Sequence, residues 1–455
     1  MSSLKYVIFF LTLVIGVPFG TKMAKKNPKV EDIVFFFMMF FTVVTITINF
    51  VSREHFRGTS RGFEIGLVDI AMLIILQLIK DRKHHFPTVK LPPGLWLYIV
   101  FFFFCWISIV NSAPGYVVNS YFEIWKMIRM YIYFWVVYNY INSWEKFDKI
   151  MKFIAIIIIY ITFTVLKQKY MEGRFQCPGP FPHQNSLVMY LIVFNSLVFS
   201  YLLNRKGVKL WFWLTVYGMG AICIISTLSR AGMVFFVLAS ITVWFFSFIA
   251  GFSAKKIGIT FILVVCATIG ILQAMDSIIE RFETAPEESG LTRIALARAA
   301  VAMANDKTFG IGLNNFGVKI NPPYSYGADV YAFIHNDRTP PPDYEEKNGL
   351  VETAYLSIAA ETGWHNLGVY LLFLLTFFFM NFKNYIKLKK SEYRFFATGL
   401  IGGLFAIYLE STLEWVLRQT NNFYQLMFVF ALIGAMTKIY KRDKLESRRV
   451  INATE

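Results

Sequence analysis

The chain has 455 residues, of which 56% are hydrophobic, 18% aromatic and only 16% charged, and its formal net charge is +16. Its mean hydropathy is +0.50. Soluble proteins do not use so much apolar sequence, so the composition excludes an ordinary soluble globular protein. The positive charge is spread over short loops between apolar runs, which argues against nucleic acid as a partner and indicates contact with membrane lipids.

Apolar runs long enough to cross a bilayer recur along the chain. We therefore expect an all-α polytopic membrane protein with about 12–13 transmembrane helices, since a closed barrel would need short alternating segments. In chain order the expected spans are residues 4–20, 33–51, 65–79, 94–110, 121–141, 147–166, 186–203, 209–228, 231–252, 257–275, 364–381, 395–410 and 423–439.

Positive charge in the loops predicts their orientation. If the basic C-terminal tail is cytoplasmic, the same side holds the loops 383–394, 253–256, 204–209, 142–149, 80–90 and 22–29. The N-terminus and the one large polar loop are then external. We expect one integral membrane domain in three parts: a helix bundle at 1–275, the external loop at 276–350 with short helices, and the C-terminal part at 351–455.

Lysine dominates the internal loops, whereas arginine is enriched outside. A planar guanidinium suits phosphate and carboxylate oxygens, so this enrichment indicates an anionic ligand on the external face. Pairing with loop carboxylates or lipid headgroups is the alternative. The arginines concerned are Arg53, Arg57, Arg61, Arg174, Arg230, Arg281, Arg293, Arg298, Arg338 and Arg418.

An arginine and a histidine precede the span that starts at 186. Arg174 and His183 lie in a Pro/Gly-rich external segment next to a helix N-terminus, where free N–H groups attract anions. The segment predicts an anion pocket. The alternative is a rigid turn in which Asn185 or Ser186 caps the helix.

Arg230 follows Ser229 between two apolar spans that have almost no loop between them. An arginine at the edge of the hydrocarbon is costly unless it is paired or reaches the interface. Arg230 is therefore a candidate functional residue, and snorkelling is the alternative.

Residues 291–304 are rich in alanine and predict a helix inside the large loop. Arg293 and Arg298 are five residues apart, which corresponds to about 140° around a helix. We expect one of them to face a site and the other to face solvent. The glycine-rich segment 309–316 that follows predicts a tight turn, because a nucleotide loop would need a preceding strand.

Residues 351–363 predict a short half-helix that re-enters the membrane before the span at 364. Glu352 and Tyr355 are three residues apart and share one helical face, and Gly363 ends the helix. Glu352 is a candidate base or a partner of the helix dipole, and Glu361 is expected to be solvated or salt-bridged.

The six histidines are scattered and the four cysteines form no CxxC pair, so the sequence indicates no metal site and no cofactor.

Together and in this order, these motifs resemble the O-antigen ligase and O-antigen polymerase superfamily of bacterial envelope glycosyltransferases, over roughly residues 120–440. The four motifs carry the resemblance at Arg174, Gly179, Phe181, His183 and Asn185, then Ser229, Arg230 and Gly232, then Arg293, Gly310, Gly312 and Phe316, and finally Tyr355, Leu356, Ala360, Glu361 and Gly363.

The resemblance implies a GT-C-like membrane enzyme in the bacterial cytoplasmic (inner) membrane, with its large loop on the periplasmic face. It implies metal-independent, inverting transfer of a glycan from undecaprenyl pyrophosphate to a hydroxyl of a lipid or glycan acceptor. Arg230 and Arg293, assisted by Arg174 or Arg298, would stabilise the pyrophosphate. His183 and Tyr355 complete the expected substrate contacts.

The sequence departs from the ligase pattern at the expected base. Ligases have a His–Asn pair just before the YL segment, whereas this chain has Glu352 and Thr353 there; a His335–Asn336 pair lies upstream. Glu352 and His335 are therefore both candidate bases, and a polymerase remains open beside a ligase.

Two other classes of protein remain. A flippase or exporter of lipid-linked oligosaccharide would place charges along an intramembrane path, and Glu123, Lys126 and Arg129 are the candidates for such a path. The alternative is that these three residues form a local charge cluster. A non-catalytic polysaccharide assembly subunit is the third class.

Overall fold

The protein is a bundle of α-helices, described by a computed structural model over residues 2–53, 58–81, 90–207, 209–283, 287–330 and 349–454. Helices α1 to α8 are Ser2–Leu11, Val17–Lys26, Pro28–Phe40, Leu67–Asp81, Leu95–Ser108, Val117–Tyr140, Trp144–Leu166 and Gln184–Asn204. Helices α9 to α17 are Leu210–Ser226, Arg230–Ile249, Ala254–Glu283, Glu287–Asp306, Phe316–Lys319, Ala354–Thr362, Trp364–Lys387, Arg394–Glu410 and Thr420–Thr454. The expected all-α fold is confirmed.

Within the described residues, six helical segments are long and apolar enough to cross a membrane. They are Lys5–Lys26, Trp144–Met171, Gln184–Asn204, Arg230–Ile249, Trp364–Lys387 and Thr420–Arg449. Shorter apolar helices occupy Leu95–Asn111 and Leu210–Ser226. The chain is therefore a multi-pass membrane protein.

The predicted span 33–51 is wrong in its second half. Helix α3 ends at Phe40, and Thr47–Ser52 forms strand β1, which pairs antiparallel with β2 at Gly62–Gly66. Residues 43–51 contain many β-branched side chains, which favour extended backbone. Hydrophobicity alone does not separate strand from helix over so short a run.

Helix α11 continues to Glu283 and so extends into the segment 276–350 that was expected to form the external loop. The expected helix 291–304 is confirmed as part of α12, Glu287–Asp306. The expected short helix is α14, Ala354–Thr362, and it stops at Gly363, whose φ of +91° few other residues adopt. Helix α15 starts directly after it.

Loops that the charge pattern places on one side of the membrane meet at one end of the bundle. Arg205 follows α8 and lies 3.4 Å from Asp148 and 2.8 Å from Glu392, so it joins three of these loops. Lys149 lies 2.7 Å from Asp32 at the same end. The first residues of α8 therefore lie at the opposite end, because the helix is 21 residues long.

Helix α8 is the centre of the bundle, and α16 packs closely against it. A Cβ atom at Gly399 would lie 2.8 Å from the Leu197 Cα, and one at Gly402 would lie 2.7 Å from the carbonyl oxygen of Ala239 in α10. Small residues at such crossings let helix backbones approach each other. This close packing fixes the position of α16 relative to α8 and α10.

Replacing Gly402 with alanine is expected to destabilise the protein by about 1–3 kcal/mol, because the added methyl group overlaps α10. The matched control is Gly368→Ala in α15, where an added Cβ meets nothing within 4 Å. That control should keep or slightly raise stability, since alanine favours helix. Thermal unfolding of the purified variants in detergent compares the two; equal Tm values would contradict the overlap.

Candidate functional site

A polar cavity of about 360 Å³ opens between the N-terminal ends of three helices and the loop after α16. Its lining combines guanidinium, imidazole, carboxyl, amide and hydroxyl groups. The residues are Gln176, His183, Gln184, Asn185, Leu228, Ser229, Arg230, Ala231, Arg293, Glu352, Glu414 and Trp415.

Two helix N-termini contribute positive potential to this cavity. His183 caps α8, where its Nδ1 accepts a hydrogen bond from the Asn185 N–H at 3.2 Å. Ser229 caps α10, where its Oγ accepts from the Gly232 N–H at 3.3 Å. The first turns of both helices carry N–H groups with no partner inside the helix, and these groups attract anions.

The capping hydrogen bond also determines which ring nitrogen of His183 carries the proton. Burial lowers the pKa of His183, and the neighbouring positive charge of Arg293 lowers it further. The ring is therefore neutral near pH 7. Because Nδ1 accepts a hydrogen bond, the proton of the neutral ring resides on Nε2, which makes Nε2 a donor.

Arg293 joins two carboxylates in the cavity. Its guanidinium forms an ion pair with Glu352, and its Nη2 lies 3.5 Å from an oxygen of Glu414. Burial raises the pKa of Glu352, although Arg293 opposes this shift. Burial raises the pKa of Glu414 to about 7. The cavity is therefore lined by two guanidinium groups, those of Arg293 and Arg230. At least one of its carboxyl groups, that of Glu414, changes charge near neutral pH.

Four predicted site residues lie together in this cavity: His183, Arg230, Arg293 and Glu352. Arg298 is exposed and outside the lining. The five-residue spacing from Arg293 predicted this difference.

The remaining predicted residues lie elsewhere. Arg174 is outside the lining and pairs with Glu172 at 2.9 Å. Tyr355 is also outside it, and its hydroxyl donates to the Tyr408 carbonyl oxygen at 2.7 Å. His335 falls outside the described residues.

Glu414, which lies in the short turn after α16, was not among the predicted site residues. The signal that points to it is the pair of acidic residues at 410 and 414 just beyond an apolar run. Carboxylates at the end of a membrane span are costly and therefore informative. Their neighbours in space come from distant parts of the chain, so spacing along the sequence does not identify them.

The charged side chains of the predicted span 121–141 form ion pairs with neighbouring side chains of opposite charge. Lys126 lies 2.7 Å from Glu123, and Arg129 lies 2.6 Å from Asp69. Arg418, predicted to belong to the external arginines, is buried beside Glu123. These contacts match the predicted local charge cluster and lend no support to an open path for a flippase.

The same buried network contains Glu361. Its carboxylate lies 2.8 Å from Arg418 Nη2, which confirms the salt-bridged alternative. The glycine-rich turn packs here: the Ile311 N–H donates to the Ala360 carbonyl and the Gly312 N–H to the Glu361 carbonyl. The segment 309–316 is thus a tight turn that fixes the end of α14.

In the described part of the chain, no group of three or more His, Cys, Asp or Glu side chains is arranged to hold a metal ion.

A search of curated proteins finds no match to this chain. A family model described as O-antigen ligase matches residues 213–371. The matched segment runs from α9 into α15 and contains Arg230, Arg293 and Glu352 of the cavity. Residues 213–371 of this chain are therefore similar to the O-antigen ligase family.

Proposed function

We propose that the protein is a membrane glycosyltransferase that moves a glycan from undecaprenyl pyrophosphate to an acceptor hydroxyl, as a ligase or a polymerase. The observation that carries the proposal is the cavity in which Arg230 and Arg293 meet the N-termini of α8 and α10. The membrane is the bacterial cytoplasmic membrane, and the cavity and the large loop face its periplasmic side.

The cavity suits the pyrophosphate leaving group. The acceptor oxygen attacks the anomeric carbon and forms the new glycosidic bond, while the bond from that carbon to the phosphate oxygen breaks. The lipid pyrophosphate leaves with the electron pair, so negative charge develops on its oxygens. Arg230, Arg293 and the two helix N-termini stabilise that charge. Attack from the face opposite the leaving group inverts the anomeric centre.

The acceptor hydroxyl needs a base within hydrogen-bond reach. Glu352 lines the cavity and is a candidate. His335 is the second candidate from the sequence. Arg174, Arg298 and Tyr355 lie beyond the lining and remain candidates for contacts with the glycan.

The test is to incubate the purified chain with an undecaprenyl-pyrophosphate glycan, with and without a lipid A-core acceptor. A ladder of lengthening products identifies a polymerase, and one capped lipid that forms only with the acceptor identifies a ligase. Absence of any transferred glycan, both with and without the acceptor, would contradict the proposal.

Glycan transfer is expected to persist in EDTA. The two arginines supply the positive charge that a divalent cation supplies in other enzymes that act on pyrophosphates. The measurement is the initial rate with EDTA, with magnesium and with neither, on protein that was purified without added metal. A loss of activity in EDTA that magnesium restores would contradict the expectation.

A further inference from the structure

Glu414 is the most enclosed carboxyl group that lines the cavity. Its side chain is only 5% exposed, compared with 37% for Glu352. It lies in the turn between α16 and the short 3₁₀ segment Val416–Arg418, next to Trp415, which also lines the cavity. A carboxyl group in this position faces the cavity and is shielded from bulk water.

The turn that carries Glu414 is held from several directions. The Glu414 N–H donates to the Glu410 carbonyl at 2.9 Å, and the Glu414 carbonyl accepts from the Ala354 N–H at 3.3 Å. The side chain of Asn185 is hydrogen-bonded to its carboxyl group. Arg418, four residues later, is anchored to Glu361. Such support fixes a reacting group in one geometry.

The two carboxylates next to Arg293 have different partners. Glu352 forms the close ion pair with the guanidinium, so its negative charge is neutralised by Arg293 and holds that side chain in position. Glu414 lies 3.5 Å from the same guanidinium, which is a looser contact. An arginine that binds pyrophosphate needs an anchor, and a second carboxylate beside it is available for a proton.

We propose that Glu414 is the general base that accepts the proton of the acceptor hydroxyl, and that Glu352 is a positioning residue that holds Arg293. This inference rests on the proposed function and names the base of that reaction. As the acceptor oxygen bonds to the anomeric carbon, its proton passes to the Glu414 carboxylate, which becomes a neutral carboxylic acid. The lipid pyrophosphate takes the electron pair of the broken bond.

The raised pKa of Glu414 supports its role as the general base. A base works best when its pKa is near the working pH, and burial raises the pKa of Glu414 to about 7. The charged or titratable groups around it are Glu410 on its own turn, Arg293 on α12, Glu352 before α14, His183 before α8 and Arg230 on α10. Glu414 must be ionised to accept a proton, so activity is expected to rise with pH through about 7.

The first test is the pH profile of glycan transfer by the 455-residue chain in nanodiscs. Glu414→Gln is expected to lower the rate about 10²- to 10⁴-fold and to remove the rise near neutral pH. Glu414→Asp should keep part of the rate and its increase with pH, because the carboxylate remains. Glu352→Gln should raise KM and keep the increase of the rate with pH. Glu145→Gln, an exposed carboxyl at the other end of the bundle, should behave as wild type.

Binding of undecaprenyl pyrophosphate separates this inference from the proposed function. Glu414→Gln should bind it no more weakly than wild type, because the substitution removes a negative charge beside Arg293. A Glu414→Gln protein with the wild-type rate and pH profile would overturn the inference. The inference would also be overturned if Glu352→Gln or His335→Ala alone abolished the increase of the rate with pH. Failure of the proposed function looks different: the wild type itself would neither bind undecaprenyl pyrophosphate nor transfer glycan.

Discussion

Replacing Arg293 with alanine is expected to lower glycan transfer about 10³-fold while the protein still inserts and folds. The Arg293 side chain is 41% exposed and lines the cavity, so its removal leaves no hole in the hydrophobic core. It does remove a fixed positive charge from the place where pyrophosphate charge develops. The measurement is product formation by purified variant and wild type, together with the affinity of each for undecaprenyl pyrophosphate.

Three further variants define the Arg293 result. Arg230→Ala should cause a comparable loss, because Arg230 lines the same cavity. Arg293→Lys should recover only part of the activity, since lysine keeps the charge but lacks the planar pair of donors. Lys307→Ala, just beyond α12 and 53% exposed, removes a positive charge outside the cavity lining and should leave transfer unchanged. Normal product from Arg293→Ala would contradict the pyrophosphate assignment.

Local periodicity explains why part of this site was predictable. The spacing of Arg293 and Arg298 determines the angle between them once the segment is helical, and alanine-rich sequence predicts the helix. Likewise, Gly363 predicts the end of α14 because of its backbone freedom. Such features depend only on neighbours within one or two turns.

The contacts between distant segments were not predictable from the sequence. Glu414 meets Arg293 across about 120 residues of sequence, and only the packing of α16 against α8 brings the turn there. Contacts between distant segments also explain why the location of Arg418 was not predicted. Its loop position indicated an external ligand, whereas the folded chain buries it between Glu123 and Glu361.

Arg418 is expected to contribute strongly to the stability of the folded protein. Four buried groups form its network, with two negative charges on Glu123 and Glu361 and two positive charges on Lys126 and Arg418. Arg418→Met leaves an uncompensated negative charge in the bundle. Removing one partner of a buried ion pair costs about 3–5 kcal/mol, so the variant should have a lower Tm and a lower yield of monodisperse protein.

A compensating double variant separates the effect of charge from the effect of packing. Arg418→Met with Glu361→Gln restores a balance between Glu123 and Lys126, so its Tm should lie above that of Arg418→Met alone. Arg442→Met is the matched control, since Arg442 is 48% exposed in the C-terminal part of α17. A Tm for Arg418→Met equal to that of the control would contradict the network. A lower Tm that the second substitution does not improve would assign the loss to packing around the arginine instead.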